Sequence, residues 1–456
     1  MSVSPNVLEL IGNTPIVKVS RMDTGLCDLF LKLESTNPGG SIKDRIGLSM
    51  IEAAERDGKL KPGGTIIEAT AGNTGLALAL VAAQKGYKLV LVLPDKMSQE
   101  KMFHLKAMGA QVVVTRSDVG KGHPEYYQDI AARISKETGA YFINQFENPA
   151  NPLAHETGTA PEIWAQMNHD VDAIVCGVGS GGTLTGIGNF FAKVSPKTEM
   201  ILADPKGSIL APLINEGKKV DPGSWLVEGI GEDFVPSICD LKLAKKAFAI
   251  SDAESIATSR EVLELEGIFC GSSSGTLISA AVRFCRQQKT RKRVLSFVCD
   301  SGNKYLSKIY NEYWLEDYGF VKKKQTHDLR DLITRPASEK SAVTLNPTDT
   351  LQAAYRKMKN YDISQLPVME DGKLQGILGE IDILLQVSAD GKGFDLPCRD
   401  AMTTKLVTIQ SNRSVDDLVP LFQQGLTAIV MEGDQFLGLI TPIDFLQYLR
   451  KRAGTA

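Results

Sequence analysis

Long apolar runs, paired cysteines and an excess of charge of either sign are what this sequence lacks. No apolar stretch in its 456 residues approaches the roughly 20 needed to cross a bilayer, and the first residues show no charged leader followed by an apolar core. A cytoplasmic protein without membrane contact is therefore expected. Its 51 Lys and Arg against 54 Asp and Glu leave no basic excess for nucleic acid or anionic lipid, which favours small-molecule chemistry. The seven cysteines are scattered, with no C-x-x-C pair, and several sit inside apolar runs. Buried reduced thiols fit that pattern better than disulfides or metal ligands, so no metal is expected.

What is present begins at residues 37–45, N-P-G-G-S-I-K-D-R. Gly39 and Gly40 allow a tight turn close to a ligand, Ser41 can cap the next helix, and Lys43 falls in its first turn, where a cation opposes the helix dipole. Alone, this is either a catalytic lysine or a solvated charge beside an ordinary cap. From Thr65 the pattern becomes strand, glycine turn, helix: T-I-I-E-A-T, then A-G-N-T-G, then an Ala/Leu-rich helix over 76–84. Strands at 88–93, 111–115, 172–178, 200–203 and 294–299 alternate with helices at 98–108, 124–138, 157–167, 253–266 and 276–288. That alternation predicts an α/β fold with a mostly parallel sheet covered on both faces. A chain of this length implies two or three domains.

Residues 322–332 are charged and turn-poor, which suggests a linker, and an internal repeat follows it. V-M-E-D-G-K-L-Q-G-I-L-G-E-I-D-I-L from Val368 aligns without gaps to V-M-E-G-D-Q-F-L-G-L-I-T-P-I-D-F-L from Val430. The expected division is a catalytic domain over 1–320, a linker over 321–334, and repeats over 335–392 and 393–456. Each repeat is too small to bury its face well alone, so the two should pack together as one α+β unit. The arrangement resembles the CBS-domain pair, a regulatory module whose cleft takes adenosyl compounds.

Two further loops bear on Lys43. Gly179, Ser180, Gly181, Gly182 and Thr183 follow an apolar strand and open a helix, an anion site suited to a phosphate. A dinucleotide fold is the competing reading, but no acidic residue on the strand at 200–203 is well placed for a ribose. Thr70 to Thr74 has the same strand-to-helix setting and reads as a carboxylate cradle or a well-capped turn. A lysine, a phosphate cradle and a carboxylate cradle together suggest pyridoxal phosphate acting on an amino acid.

G-G-S-I-K-D-R, T-A-G-N-T-G, N-Q-F-x-N-P-A-N-P, G-S-G-G-T, E-G-I-G-E-D-F and C-G-S-S-S-G occur in the order seen in fold-type II pyridoxal enzymes. The chain resembles the cystathionine beta-synthases among them, from Val7 to about Phe320 and, with the CBS pair, over nearly its whole length. The resemblance implies two parallel-sheet subdomains of the tryptophan synthase beta type. It implies that Lys43 carries pyridoxal 5'-phosphate and removes the substrate's α proton, that Asn73 bonds the cofactor's 3-oxygen, and that 179–183 hold its phosphate. Ser273 falls where a serine meets the pyridine nitrogen, although from the residues alone it is equally a polar cap beside Gly275. Thr70, Ala71, Gly72, Thr74 and Gln145 are implied to grip the substrate carboxylate, with Gly229, Glu232 and Asp233 on the homocysteine side. The implied reaction condenses serine with homocysteine to cystathionine and water, with hydrogen sulfide from cysteine as a further product.

Ala71 stands where better-known synthases carry serine, and Phe146 and Glu232 each replace a tyrosine. Phe146 makes the sequence more like the sulfhydrylases, so a cysteine synthase using O-acetylserine and sulfide is the first rival. A nucleotide-sensing protein with an inert catalytic half is the second. Glu228, Glu232 and Asp233 could meet homocysteine's ammonium or form a solvated loop edge. Few residues precede the catalytic region, so no heme segment and no heme are expected. In the module, Gln365, Thr441 and Asp444 are the candidate site for S-adenosylmethionine or an adenine nucleotide, and simple helix capping explains Thr441 and Asp444 equally. A homodimer or higher homo-oligomer is expected.

Overall fold

Apolar strands bounded by glycine turns become, in chain order, β1 (Ile16–Lys18), β2 (Asp28–Leu33), β3 (Thr65–Ala69), β4 (Lys88–Pro94), β5 (Gln111–Thr115), β6 (Tyr141–Phe142), β7 (Ala173–Gly177), β8 (Glu199–Pro205), β9 (Ala244–Ile250) and β10 (Arg293–Val298). The computed structural model describes residues 3–70, 72–95, 99–116, 118–119, 122–321, 326–337, 342–388 and 393–452. Two compact units divide the chain, Met1–Asn311 and Glu312–Ala456.

The first unit holds two sheets. One has the order β1-β2-β10-β7-β8-β9 and is parallel except for β1, and the other, β5-β4-β3-β6, is wholly parallel. The larger sheet's core includes Leu29, Leu31, Val175, Leu202 and Phe297; the smaller sheet packs Ile66, Leu78, Leu91 and Met50. Four of the site segments named from sequence in this unit leave the carboxyl end of a strand, 37–43 after β2, 70–74 after β3, Gln145 after β6 and 179–183 after β7, whereas 229–233 and Ser273 do not. Ligands bind open parallel sheets at that end.

β9 escaped the sequence reading because Lys245 and Lys246 interrupt its apolar run, yet both are exposed and the strand closes the sheet edge beside β8. The helix expected over 157–167 is a π-helical turn, His155–Thr159, continuing into Ala160–Gln166, with a further short helix at Ala150–Ala154 before it. Gly186 leaves no room for a side chain there, since a Cβ would stand 2.1 Å from the Pro152 carbonyl oxygen.

The second unit contains β11 (Gln365–Glu370) antiparallel to β12 (Lys373–Gly379), and β13 (Thr408–Gln410), β14 (Ala428–Glu432) and β15 (Gln435–Ile440) in a second sheet. Both hairpins shift register at the same point of the repeat, between Val368 and Met369 and between Val430 and Met431. Two expected boundaries change. The helix Glu312–Asp317 belongs to this unit, where Arg450 pairs with Asp317 at 2.7 Å, so the division precedes residue 320. Leu329, Leu332 and Ile333, expected in a linker, are buried with Leu418, Val430 and Ile440 in the second repeat's core. The charged residues around them hid a short apolar i, i+3, i+4 stripe.

Candidate active site

Lys43 opens the helix Lys43–Arg56. Gly40 turns with φ +75°, and Gly39 must be bare because a Cβ would stand 2.6 Å from an Asp44 carboxylate oxygen. The Ser41 hydroxyl accepts from the Lys43 N–H at 3.2 Å. Two residues on, about 200° around the helix, Arg45 points away into a buried charge network. Its guanidinium donates to both Glu34 oxygens (2.7 and 2.9 Å) and both Glu162 oxygens (2.8 and 2.7 Å), and Lys32 reaches Glu162 at 3.0 Å. This anchor leaves Lys43 facing the cleft.

No hydrogen bond or ion pair ties the Lys43 amine to another described residue. Burial pushes its pKa down, against the nearby Cys299, Glu232 and Asp300, which favour its charge. A lysine partly exposed to a cleft, unpartnered and made less basic by its surroundings has the properties of a nucleophile and base.

Hydrogen bonds tie several of the other residues named from sequence to one another. Thr74 donates to Gln145 at 2.7 Å, joining the 70–74 loop to the segment after β6, and Gly72 N–H points to the Thr70 hydroxyl at 3.4 Å. Ala71 lies outside the described residues. Asn73 starts its helix with its amide held on both sides: Nδ2 donates to Asp300 and Oδ1 accepts from Lys304, each at 2.8 Å. Gly181 caps the helix Gly182–Val194 with φ +88°, and no side chain caps that end, so the N–H groups of its first turn are free for an anion. Ser273 is buried in the first turn of the helix Ser272–Arg286, beside the Cys299 thiol, which burial pushes up to about 12. Glu232 borders the cleft while Asp233 is exposed, and Glu228 is already taken, by Lys308 at 2.6 Å and by Lys101. Phe146 packs on Phe234 with ring centroids 5.5 Å apart.

Several residues at the site were missed. Asn151 donates to the Gln145 carbonyl and to the Ser180 hydroxyl, 2.8 Å each, tying the segment after β6 to the 179–183 turn. His155 touches Thr183 at 3.3 Å and Thr159 at 2.9 Å, and burial keeps it neutral. Glu68 accepts from the Gln145 N–H at 3.3 Å. Asp300 also accepts from Tyr305 at 2.8 Å, and Lys304 reaches the Gly39 and Gly40 carbonyls. N-P-A-N-P and D-S-G-N-K-Y were the available signals.

In the second unit, Asp444 accepts from the Thr441 N–H (2.8 Å) and hydroxyl (2.6 Å) and from the Thr334 hydroxyl (2.5 Å). The equivalent Asp382 accepts from the Gly379 N–H at 2.7 Å. Gln365 pairs with Gly379 across the β11–β12 hairpin, so it joins the first repeat's motif, and its Oε1 is buried without a partner.

A family model described as pyridoxal-phosphate dependent enzyme matches residues 7–300, and one described as CBS domain matches 329–389 and 398–451. A cystathionine beta-synthase of Dictyostelium discoideum is 36% identical, covering 98% of this chain and 93% of that one. The chain belongs to the pyridoxal-phosphate-dependent enzymes, in the cystathionine beta-synthase family with a C-terminal pair of CBS domains. A cysteine synthase of Staphylococcus aureus is 41% identical over 66% of this chain and 95% of that one. Among solved structures, a hydrogen sulfide-producing enzyme from Fusobacterium nucleatum superposes with a TM-score of 0.63 at 35% identity, covering 67% of this chain and all of that one. The fold is thus fold-type II, and the cofactor of this family is pyridoxal phosphate. The cleft fits that group. A Cβ on Gly72 would meet nothing within 4 Å beside the Asn73 amide, which leaves room there for a ligand, while one on Gly182 would strike Asn151 at 1.9 Å, so the 179–183 turn must keep its backbone bare, as a phosphate would require. Among the described residues no helix is long and apolar enough to cross a membrane, and no cluster of His, Cys, Asp and Glu could hold a metal ion.

Proposed function

We propose that the protein catalyses a β-replacement that joins L-serine to L-homocysteine, giving cystathionine and water. The observation that carries this reading is the unpartnered, depressed amine of Lys43 facing a cleft bordered by an anion-binding helix start and a polar cradle. Bound pyridoxal phosphate supplies the electron sink that lets the Cα–H bond break. Lys43 tethers the group and, once displaced, takes the α proton. The N–H groups of 180–183 and the Thr183 hydroxyl would hold the group's phosphate, Asn73 would bond its 3-oxygen, and Ser273 would be a neutral partner for its pyridine nitrogen. A hydroxyl there, unlike a carboxylate, would not hold a proton on that nitrogen, which would favour β-elimination over transamination. Thr70, Gly72, Thr74 and Gln145 bind the substrate carboxylate, and a substrate held in that cradle loses the freedom it would otherwise surrender in the transition state.

A cysteine synthase acting on O-acetylserine and sulfide is the second reading, favoured by Phe146, which brings no hydroxyl to its contact with Phe234. Product analysis with serine plus homocysteine against O-acetylserine plus sulfide separates the two; cysteine as the only product sinks the first. The CBS pair, in this reading, binds an adenosyl compound such as S-adenosylmethionine, with Asp444 and Thr441 at the helix start contacting its ribose. The working form is a homo-oligomer in the cytoplasm, which sedimentation of the loaded enzyme tests for its assembly.

A further inference from the structure

The loop that carries Glu232 is fastened over the phosphate cradle. Gly231 N–H donates to the Val178 carbonyl at 2.8 Å, and Gly229 and Gly231 both turn with positive φ, +87° and +88°. Glu232 N–H donates to the Ser208 hydroxyl at 3.1 Å, and its carbonyl accepts from Ile209 N–H at 3.1 Å. These bonds fix the backbone on both sides of the residue and hang its side chain into the cleft. One carboxyl oxygen lies 3.9 Å from where a Cβ on Gly179 would stand. The carboxyl makes no hydrogen bond or ion pair with a described residue, and Lys43 is the cation facing it. Asp233 and Asp204 add negative charge nearby, and Tyr126, Tyr127 and Cys239 are the remaining titratable neighbours.

Two unpartnered titratable side chains therefore share one cleft, and only one of them is needed for the α proton. We propose that Glu232 is the catalytic acid that protonates the departing β-oxygen of serine and the base that then takes the proton of the incoming thiol. The proposal rests on the β-replacement reading above. As the Cβ–O bond breaks, its electron pair goes to oxygen, the Glu232 carboxyl gives up its proton, and water leaves. The resulting carboxylate accepts the thiol's S–H proton as the S–Cβ bond forms, the Cα=Cβ pair left by the elimination moves to Cα and takes back the proton held by Lys43, and the acid is restored. Burial, with Asp233 and Asp204 beside it, holds the Glu232 carboxyl up at about 9, so it carries the required proton at neutral pH. Hydroxide is a poor leaving group and needs that proton, whereas acetate departs as an anion and does not. Glu232 is then a determinant of which β-substituent the enzyme can expel.

The test compares wild type, Glu232→Gln and Glu232→Asp in release of the β-substituent from serine and from O-acetylserine before any thiol is added, and follows the Glu232 carboxyl by isotope-edited infrared spectroscopy. General acid catalysis is worth about 100-fold or more, so release of the β-substituent in Glu232→Gln should slow by at least that factor with serine, by less than a tenth of that factor with O-acetylserine, whose acetate needs no proton, and be partly rescued in Glu232→Asp. A carboxyl band in wild type at pH 7, absent from Glu232→Gln, is expected. Equal losses with both substrates, no loss with serine, or an ionised Glu232 at pH 7 would overturn the proposal. Failure of the reading beneath it is seen separately, as wild type that turns over neither serine nor O-acetylserine while the infrared band remains.

Discussion

In the first unit the candidate site is built from loops far apart in sequence: Lys43 beside Asp300, Thr74 on Gln145, Asn151 on Ser180. In the second unit each candidate aspartate is held by a local partner, a backbone or hydroxyl donor three residues before it on a helix start, and Thr334 is a distant donor to Asp444 alone. The difference has a physical cause. A parallel sheet gathers the ends of strands from across the chain, so side chains converge only when the whole unit is folded. A helix start needs no such convergence, because its free N–H groups and an acceptor three residues on satisfy each other.

Removing the lysine should produce the largest effect. Lys43→Ala should abolish turnover, and borohydride reduction followed by peptide mapping should place the pyridoxyl label on Lys43 in wild type; a label elsewhere refutes the assignment. Next comes the anchor behind it. Arg45→Ala leaves the buried Glu34 carboxylate without its bidentate partner, a change that costs about 3–5 kcal/mol, and a shift of that size in denaturant unfolding is expected. An unfolding midpoint that does not move would mean the anchor is not holding the helix.

The local sites of the second unit should respond more mildly. Losing one charge-assisted hydrogen bond is worth about 1.5–3 kcal/mol, or roughly 10- to 100-fold in affinity. Calorimetry with S-adenosylmethionine, AMP and ATP on wild type, Asp444→Ala and Asp382→Ala should show that loss in Asp444→Ala alone, since Thr441 and Thr334 orient only that carboxylate. Equal loss in both variants would erase the asymmetry between the repeats, and no heat in wild type would remove the adenosyl assignment.

The smallest effect is a slope. Burial raises Asp44 to about 6, with its Oδ1 unpartnered. Between its ordinary value and about pH 6 the folded protein holds a proton that the unfolded chain has released, so stability falls as pH rises through that window and levels off above it. Asp44→Asn should flatten this segment of a stability–pH curve. An unchanged slope would show that Asp44 is ionised when folded.

Sequence by itself determined the strand-helix alternation, the three loops of the catalytic cleft and the repeat, because periodicity, glycine turns and helix-start chemistry are local properties. It placed Lys43, Asn73, Ser180 and Thr74 on elements where the structure has them. Tertiary structure alone decided what those residues touch. Asn151 and His155 lie on the short helical segments at 150–159, and Asp300 and Lys304 on D-S-G-N-K-Y, where sequence marks the segment but not its partners; Glu228 meets Lys101 and Lys308 instead of facing the cleft unpaired. Leu329, Leu332 and Ile333 sit in a charged stretch yet complete the second repeat's core. Glu232 is an acidic loop residue in sequence; only the fold buries it opposite Lys43, and burial beside other negative charge is what keeps its proton on.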